Sequence, residues 1–511
     1  MDAFEEITAG YATEGGALEL GSAVVDGVVR AEARVRLPLA TLNRHGLIAG
    51  ATGTGKTKTL QLMAEQLSAA GVPVVMADVK GDLSGLSRPG TGGDKVSKRA
   101  AETGDDWQAA GFPVQFLSLG EGGSAVPVRA TITSFGPILL SKVLGLNDTQ
   151  ESTLGLIFHW ADSRGLPLLD TKDLRSVIQH LSGDEGKEDL KGLGGVSSAT
   201  AGVILRSLLN LEANGGDTFF GEPELDPADL MRSQDGRGVI SLLELSELQG
   251  NPALFSTFLM WLLADLFHQL PEEGDLDQPK LVFFFDEAHL LFADASKAFL
   301  EQIVQTVKLI RSKGVGVFFC TQLPTDVPNA VLSQLGARVQ HALRAFTPDD
   351  QKALAQTVKT YPTTPHYDLG KALTTLGIGE AVVTVLSEQG APTPVAWTRL
   401  RPPRSLMASI GVDAVKQEAA SSSLAAKYSQ SVDRESAYEM LLAKVAPPAE
   451  APTEKSAPEE SAPAERRKEA DDPGLIGQVL GNPAVKSFLR SAGSALGREI
   501  TRGIFGTGRR R

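Results

Sequence analysis

The chain has 511 residues, of which 42% are hydrophobic, and its formal net charge is −13. A chain of this length can bury a large core in two or three folding units, and its acidity excludes a protein that coats nucleic acid over its whole surface. The single cysteine, Cys320, excludes an intramolecular disulfide and has the pattern of a small buried hydrophobe. The start of the sequence is acidic and lacks the apolar core of a signal peptide, so we expect a cytoplasmic protein. The seven histidines lack metal-ligand spacing, so we expect no zinc site.

A glycine-rich loop follows the first strong strand pattern. Short apolar alternations in residues 1–40 predict a small β element, and the apolar run 46–49 predicts a buried strand. Apolar residues then recur at three- and four-residue steps from Leu60 to Leu67, which predicts a helix. A strand, a glycine-rich loop and a helix in that order are what a phosphate-binding P-loop requires. The predicted nucleotide-binding residues are Gly50, Ala51, Thr52, Gly53, Thr54, Gly55, Lys56, Thr57 and Thr59.

Each part of this loop has a chemical role in phosphate binding. The glycines let successive backbone N–H groups point inward at a phosphate, beside the positive end of the helix dipole. Lys56 can reach the β- and γ-phosphates, and the Thr57 hydroxyl can ligate Mg²⁺. We therefore predict ATP and Mg²⁺ as the cofactors.

Strand and helix patterns alternate along most of the remaining chain. A second buried strand at 72–77 predicts a parallel sheet with a right-handed crossover. Residues 85–235 are less regular and predict a helical insertion, with a strand at 113–119 and helices that include 137–163 and 196–212. The α/β order then returns, and a strand is predicted at 339–346. Strands at 380–386 and 393–400 flank Gln389-Gly390 and predict a hairpin. The predicted fold is an α/β, RecA-like ATPase domain over residues 41–445, with a mostly parallel central sheet.

Two acids end a wholly apolar strand far along the chain. Residues 281–285 read Leu-Val-Phe-Phe-Phe, the pattern of a central parallel strand, and Asp286 and Glu287 follow at once. An acid at this position can hold the Mg²⁺ shell, which is the role predicted for Asp286. Glu287 would lie beside the γ-phosphate, where it can orient and polarise the attacking water. We expect His289 to pack locally at the start of a helix.

Two further candidates lie around the next strand, 315–321. Gln322 follows that strand, where its amide can sense the γ-phosphate or hold the water; the alternative is a loop-capping amide. Arg311 ends the preceding helix, where a cation can simply complement the helix dipole. The other reading of Arg311 is an arginine finger that reaches the γ-phosphate of a neighbouring subunit.

These residues together resemble the HerA/FtsK superfamily of ring-forming translocases, and in particular its bacterial HerA-like (YjgR-type) branch. The resemblance runs from about Pro38 to Tyr438 and is most specific at residues 42–46, 219–223, 280–292 and 311–348. It implies an oligomeric ATPase, expected to be a hexamer, that moves along duplex DNA. In related translocases an arginine stands eleven residues before the sensor glutamine, as Arg311 does before Gln322, and this favours the finger role.

The resemblance leaves the partners partly open. HerA proteins dock a nuclease through an N-terminal β-barrel, and fewer than fifty residues precede this P-loop, so we do not expect a nuclease partner. The DNA-contacting loops carry no motif in this sequence. Charge alone nominates six residues, for which an ordinary solvated surface is the alternative: Lys80, Lys95, Lys98, Arg99, Lys187 and Lys191.

The C-terminal part changes in composition. Residues 446–473 are dominated by alanine, proline and glutamate, which predicts a disordered linker. Residues 474–511 carry seven basic residues and one acid, with apolar residues at helical spacing, which predicts a basic amphipathic helix. Such a tail can contact anionic lipid, nucleic acid, a protein partner or its own protein. It leaves open a second functional hypothesis, an ATP-switched scaffold or assembly ATPase recruited to a membrane or partner.

Overall fold

The computed structural model describes residues 2–190, 194–245, 252–274, 276–293 and 295–445. The chain divides into two units, residues 1–441 and residues 442–511, and of the second unit only residues 442–445 are described. The predicted linker 446–473 and the predicted tail helix 474–511 lie outside the described residues. None of the described helices combines the length and the apolar character needed to span a bilayer.

A large twisted sheet forms the centre of the first unit. The strands, in chain order, are β1 Ala17–Val25, β2 Val28–Pro38, β3 Gly46–Ala49, β4 Val74–Asp78, β5 Val114–Leu119, β6 Val126–Val128, β7 Ser233–Gln234, β8 Arg237–Gly238, β9 Ile240–Glu244, β10 Leu281–Phe285, β11 Val315–Thr321, β12 Ala337–Gln340, β13 Glu380–Thr384 and β14 Ala396–Leu400. Within the described chain, twelve of these strands form one sheet in the order β2-β1-β14-β13-β12-β3-β11-β10-β4-β9-β5-β6, and β7 pairs with β8.

The sheet has a parallel part and an antiparallel part. From β12 to β6 every neighbouring pair is parallel, whereas β13, β14, β1 and β2 continue the sheet as antiparallel strands. The N-terminal β element predicted in residues 1–40 therefore extends the central sheet through β14. Because β3, β11, β10 and β4 are parallel neighbours, their carboxyl ends meet at one edge, where such sheets bind ligands.

Helices surround this sheet. Their bounds are α1 Ala3–Gly10, α2 Lys56–Ala69, α3 Asp94–Glu102, α4 Ile132–Leu144, α5 Asp148–Ser163, α6 Thr171–Ser182, α7 Asp184–Asp189, α8 Ser198–Ala213, α9 Pro252–Gln269, α10 His289–Phe292, α11 Lys297–Ile310, α12 Asn329–Leu332, α13 Pro348–Val358, α14 Leu369–Thr375, α15 Val412–Ser421, α16 Ala425–Tyr428 and α17 Ala437–Val445. Every residue of β3, β4, β10 and β11 is buried, as expected for central strands of a sheet covered on both faces.

Two predicted elements differ from the structure. The helix predicted at 137–163 is two helices, α4 and α5, because Gly145 adopts a left-handed conformation with φ of 64° and Asn147 caps the next helix. The strand predicted at 339–346 is wrong in its bounds. β12 ends at Gln340, which is the partner of Ala49, the last residue of β3. Beyond it the chain stays bonded to the end of β3 and to the P-loop: His341 N–H donates to the Ala49 carbonyl, and the Ala342 carbonyl accepts from Ala51 N–H. The predicted hairpin is present as the antiparallel pair β13–β14, with a longer connection than a tight turn.

Candidate active site

The glycine-rich segment forms a tight loop between β3 and α2. Lys56 Nζ donates to the carbonyls of Gly50, at 2.6 Å, and Ala51, at 3.3 Å, so its ammonium group is folded over the loop. Gly50 must be glycine, since a Cβ there would lie 2.5 Å from the Cβ of His341. Gly55 has φ of 117° and precedes the first residue of α2, whose leading amides have no partners within the helix. The loop therefore presents backbone donors and one cation to an anion.

His341 packs against the P-loop at Gly50 and at the first turn of α2. The residue is fully buried, and its Nε2 lies 2.9 Å from the Thr59 hydroxyl. Burial, reinforced by the charge of Lys56, lowers the pKa of His341 to about 4, so the imidazole is neutral at physiological pH. Thr59 is also buried, and its hydroxyl donates to the Gly55 carbonyl as well. Thr59 is thus held beneath the loop by His341, and its place among the nucleotide-binding residues stays a prediction.

Asp286 lies at the same sheet edge as the loop. The register pairs Phe285 of β10 with Phe319 of β11, and Cys320 of β11 with Ile48 of β3, so Asp286 is level with the end of the P-loop strand. Burial and the neighbouring Glu287 raise the pKa of the Asp286 carboxyl, while the Glu287 N–H and the Cys320 thiol stabilise its charged form. Cys320 is buried, as predicted. Burial and the charge of Asp286 raise the pKa of its thiol, and the charge of Lys56 acts in the opposite direction.

Glu287 is held in an unusual backbone conformation. Its φ of 48° lies in the left-handed region, which a residue with a Cβ adopts at an energetic cost and which is frequent at functional sites. Its side chain is only 15% exposed, and Oε1 lies 3.3 Å from Lys80 Nζ. Oε2 lies 3.4 Å from Nδ1 of His289, the first residue of α10, in a poorly directed contact. The catalytic carboxylate predicted from the sequence therefore has a cation beside it.

The loop after β4 positions that cation. Asp78 ends β4 with its carboxylate turned back on the chain, where Oδ1 accepts from the N–H groups of Lys80, Gly81 and Asp82. Its other oxygen accepts from Leu83 N–H. Burial raises the pKa of Asp78 to about 6, despite these hydrogen bonds. The Asp78 carboxylate thus builds the turn that directs Lys80 to Glu287.

Gln322 and Arg311 lie at opposite ends of β11. The Gln322 carbonyl accepts from Gly50 N–H at 3.1 Å and its side chain is exposed, so the amide stands beside the start of the P-loop. Arg311 is exposed before β11 begins, and its charge acts on His45, which precedes β3. The seven residues of β11 span about 23 Å, so Arg311 cannot reach the nucleotide bound by its own chain. No described residue forms an ion pair with Arg311.

The residues at this edge fit ATP and Mg²⁺. Lys56 is the first residue of α2 and Thr57 the second, and no described acid forms an ion pair with Lys56. Asp286 is a buried carboxylate, and a nearby cation would stabilise its charged form. The described residues contain no cluster of three or more His, Cys, Asp or Glu side chains that could hold a metal ion alone. This suits Mg²⁺, which is usually bound through one or two protein groups together with phosphates and waters.

The structure separates the six residues that charge alone nominated as DNA contacts into two groups. Lys80 faces Glu287, and Arg99 donates to the carbonyls of Gly379 and Ile378, so both belong to the surroundings of the nucleotide site. The remaining candidates show no such role. Lys95 is exposed, Lys98 and Lys187 form exposed ion pairs with Glu102 and Asp184, and Lys191 lies outside the described residues.

The sequence prediction missed Lys80, Asp78 and His341 as parts of the site. The available signal was positional: Asp78 is the last residue of β4, which neighbours the strand before Asp286, and His341 follows β12, which neighbours the P-loop strand. That signal needs the strand order, which places β4 next to β10 and β12 next to β3.

The comparisons with known proteins agree with this geometry. The chain matches the family described as Helicase HerA-like C-terminal over residues 26–511. Its fold is similar to the plasmid coupling protein TrwB in complex with a non-hydrolysable ATP analogue, with 15% identity, a TM-score of 0.52, and coverage of 80% of this chain and 95% of that one. A second form of TrwB, in complex with sulphate, gives 16% identity, a TM-score of 0.51 and coverage of 81% and 95%. No curated protein sequence matches the chain.

The fold and the site together define a P-loop ATPase with a RecA-like core, and the sequence prediction of that class is confirmed. Within that class, the chain belongs to the HerA-like helicase C-terminal family.

Proposed function

We propose that this chain is the motor subunit of an oligomeric ring that couples Mg²⁺-dependent ATP hydrolysis to movement along duplex DNA. One observation carries the oligomeric part of this proposal. Arg311 is exposed at the sheet edge opposite to Lys56, so it can act on a nucleotide only when a second subunit presents one. The name of the family, a helicase, supports nucleic acid as the substrate on which the motor acts.

The residues of one subunit bind and orient the nucleotide. The loop amides and Lys56 hold the β- and γ-phosphates, and Thr57 and Asp286 would hold the metal ion. Mg²⁺, when bound, neutralises charge on the phosphates. Glu287 orients the attacking water and accepts its proton, and Gln322 stands where it can contact the γ-phosphate or that water. Arg311 of the adjacent subunit completes the site by stabilising the charge that develops on the γ-phosphate.

The test is ATP turnover with and without duplex DNA over a series of salt concentrations. We expect DNA to stimulate turnover and the stimulation to weaken as salt rises, because contacts to the phosphate backbone release counterions. The matched control is Glu287→Gln, which should still bind ATP while turning it over about 10²-fold or more slowly. Turnover that is indifferent to duplex DNA at every salt concentration would refute the DNA motor.

A further inference from the structure

We infer that the loop Gly377–Gly379 forms the nucleoside subsite of this ATPase, with the Ile378 side chain as the apolar surface for the base. This inference rests on the nucleotide site described above and adds to it the binding surface for the part of ATP that the P-loop does not contact. The ligand class is a purine nucleoside triphosphate.

The direction of the bound triphosphate follows from the strand order. Asp286 and Glu287 follow β10, which is two strands from β3 on one side, about 10 Å away. The γ-phosphate must face these acids, since Glu287 prepares the water that attacks it. The phosphate chain therefore leads the nucleoside away from β10, towards the β12–β13 side of the P-loop.

The loop Gly377–Gly379 lies on that side and is joined to the P-loop directly. It precedes β13, two strands from β3 in the direction opposite to β10. Gly379 N–H donates to the Thr54 carbonyl at 3.0 Å, and a Cβ added to Gly55 would come within 3.3 Å of Gly379 N. The two loops are therefore adjacent backbone segments of one surface.

Arg99 fixes this loop in place. Its guanidinium donates to the carbonyl of Gly379 at 2.7 Å and to that of Ile378 at 3.0 Å. At the other end of the loop, Gly377 N–H donates to Glu380 Oε2 at 2.9 Å. A loop that is already ordered loses little conformational entropy when a ligand binds, so its contacts can contribute to affinity.

Ile378 is the one side chain of this loop, and it is 74% exposed. An apolar side chain on a fixed loop beside a nucleotide site offers a flat contact for the face of a base. Because Arg99 already occupies the carbonyls of Ile378 and Gly379, this contact adds no hydrogen bond that would distinguish adenine from guanine. We expect it to provide affinity for a base without selecting which purine is bound.

The test compares Ile378→Ala with the wild type in the binding of ATP, GTP and inorganic tripolyphosphate, each with Mg²⁺. We expect binding of ATP and GTP to weaken about tenfold, since apolar contact area is lost, and binding of tripolyphosphate to stay unchanged. The control is Val28→Ala, which removes another exposed branched side chain, on β2, about 24 Å from β3 across five strand spacings.

Two results would overturn the inference. Ile378→Ala could bind ATP as tightly as the wild type does, or it could lose ATP and tripolyphosphate to the same extent, which would indicate a disturbed phosphate loop. Failure of the proposed motor function is distinguishable from both, because it would appear as normal ATP binding by the wild type without any stimulation of turnover by DNA.

Discussion

Lys80 Nζ lies 3.3 Å from Oε1 of Glu287, the carboxylate assigned to the attacking water. Lys80 follows β4 and Glu287 follows β10, and these two strands are parallel neighbours. Burial lowers the pKa of Lys80, but the charges of Glu287, Asp286 and Asp82 outweigh it, and the net shift is upward. The pair holds the Glu287 carboxylate, for which we propose the catalytic role, at a defined place on the sheet edge, while half of the lysine side chain stays in solvent.

We predict that Lys80→Ala lowers kcat about fivefold and leaves KM for ATP nearly unchanged. A partly exposed ion pair is worth about 1 kcal/mol, and here that energy restrains the orientation of Glu287 rather than the binding of ATP. Steady-state kinetics at saturating ATP measure the effect. Lys80→Arg should restore most of kcat, and Lys98→Ala, which removes another exposed lysine, should behave as wild type. An unchanged or raised kcat in Lys80→Ala would show instead that the pair restrains the resting enzyme.

The position of Arg311 predicts complementation between inactive subunits. Arg311→Ala and Glu287→Gln should each be nearly inactive alone, because every interface then lacks one catalytic group. A mixture of the two should regain turnover, since an interface between an intact Glu287 and an intact Arg311 from the other subunit is complete. Mixed-subunit ATPase assays over a range of ratios measure this recovery.

The matched control for complementation is a mixture of Glu287→Gln with Lys56→Ala. Those two residues serve the same nucleotide within one subunit, so no mixed interface contains both, and turnover should stay low. Recovery in this control, or none in the Arg311→Ala mixture, would contradict a role for Arg311 in trans.

His45 predicts a loss of stability in acid. The residue is fully buried, Nε2 lies 2.7 Å from the Val307 carbonyl, and Nδ1 accepts from Val317 N–H, so the neutral ring is required. Burial chiefly, with a contribution from the charge of Arg311, lowers the pKa of His45 to about 4 from 6.5. Between about pH 6.5 and pH 4, His45 is therefore protonated in the unfolded chain and neutral in the folded chain. The contribution of His45 to stability is complete above that window and falls with pH through it, by about 2 kcal/mol at pH 5.

Denaturant unfolding at pH 8 and pH 5 measures this contribution of His45. His45→Gln should be less stable than wild type at pH 8 and should lose about 2 kcal/mol less than wild type between the two pH values. His159→Gln, at an exposed position, should keep the pH dependence of the wild type. Equal pH dependence in His45→Gln and wild type would show that the buried ring does not control acid stability.

Local patterns along the chain were sufficient for the elements that carry the site. The P-loop, the Phe-rich strand before Asp286 and the strand before Gln322 were predictable because phosphate binding needs glycines at a strand–helix junction and central strands need continuous apolar runs. The sequence prediction ran one helix through Gly145 and Asn147, although a left-handed glycine commonly ends a helix and an asparagine cap commonly begins one.

The neighbours of those elements depended on the order of strands in the sheet. Lys80 and Glu287 are more than two hundred residues apart, and they meet because β4 and β10 pair, which no local pattern encodes. The same reason applies to His341 below Gly50 and to the Gly377–Gly379 loop beside Thr54. For Arg311 the sequence pattern allowed two roles, a cation that complements the helix dipole and an arginine finger that acts on a neighbouring subunit. The length of β11 separates it from its own nucleotide, so a catalytic role requires a second subunit.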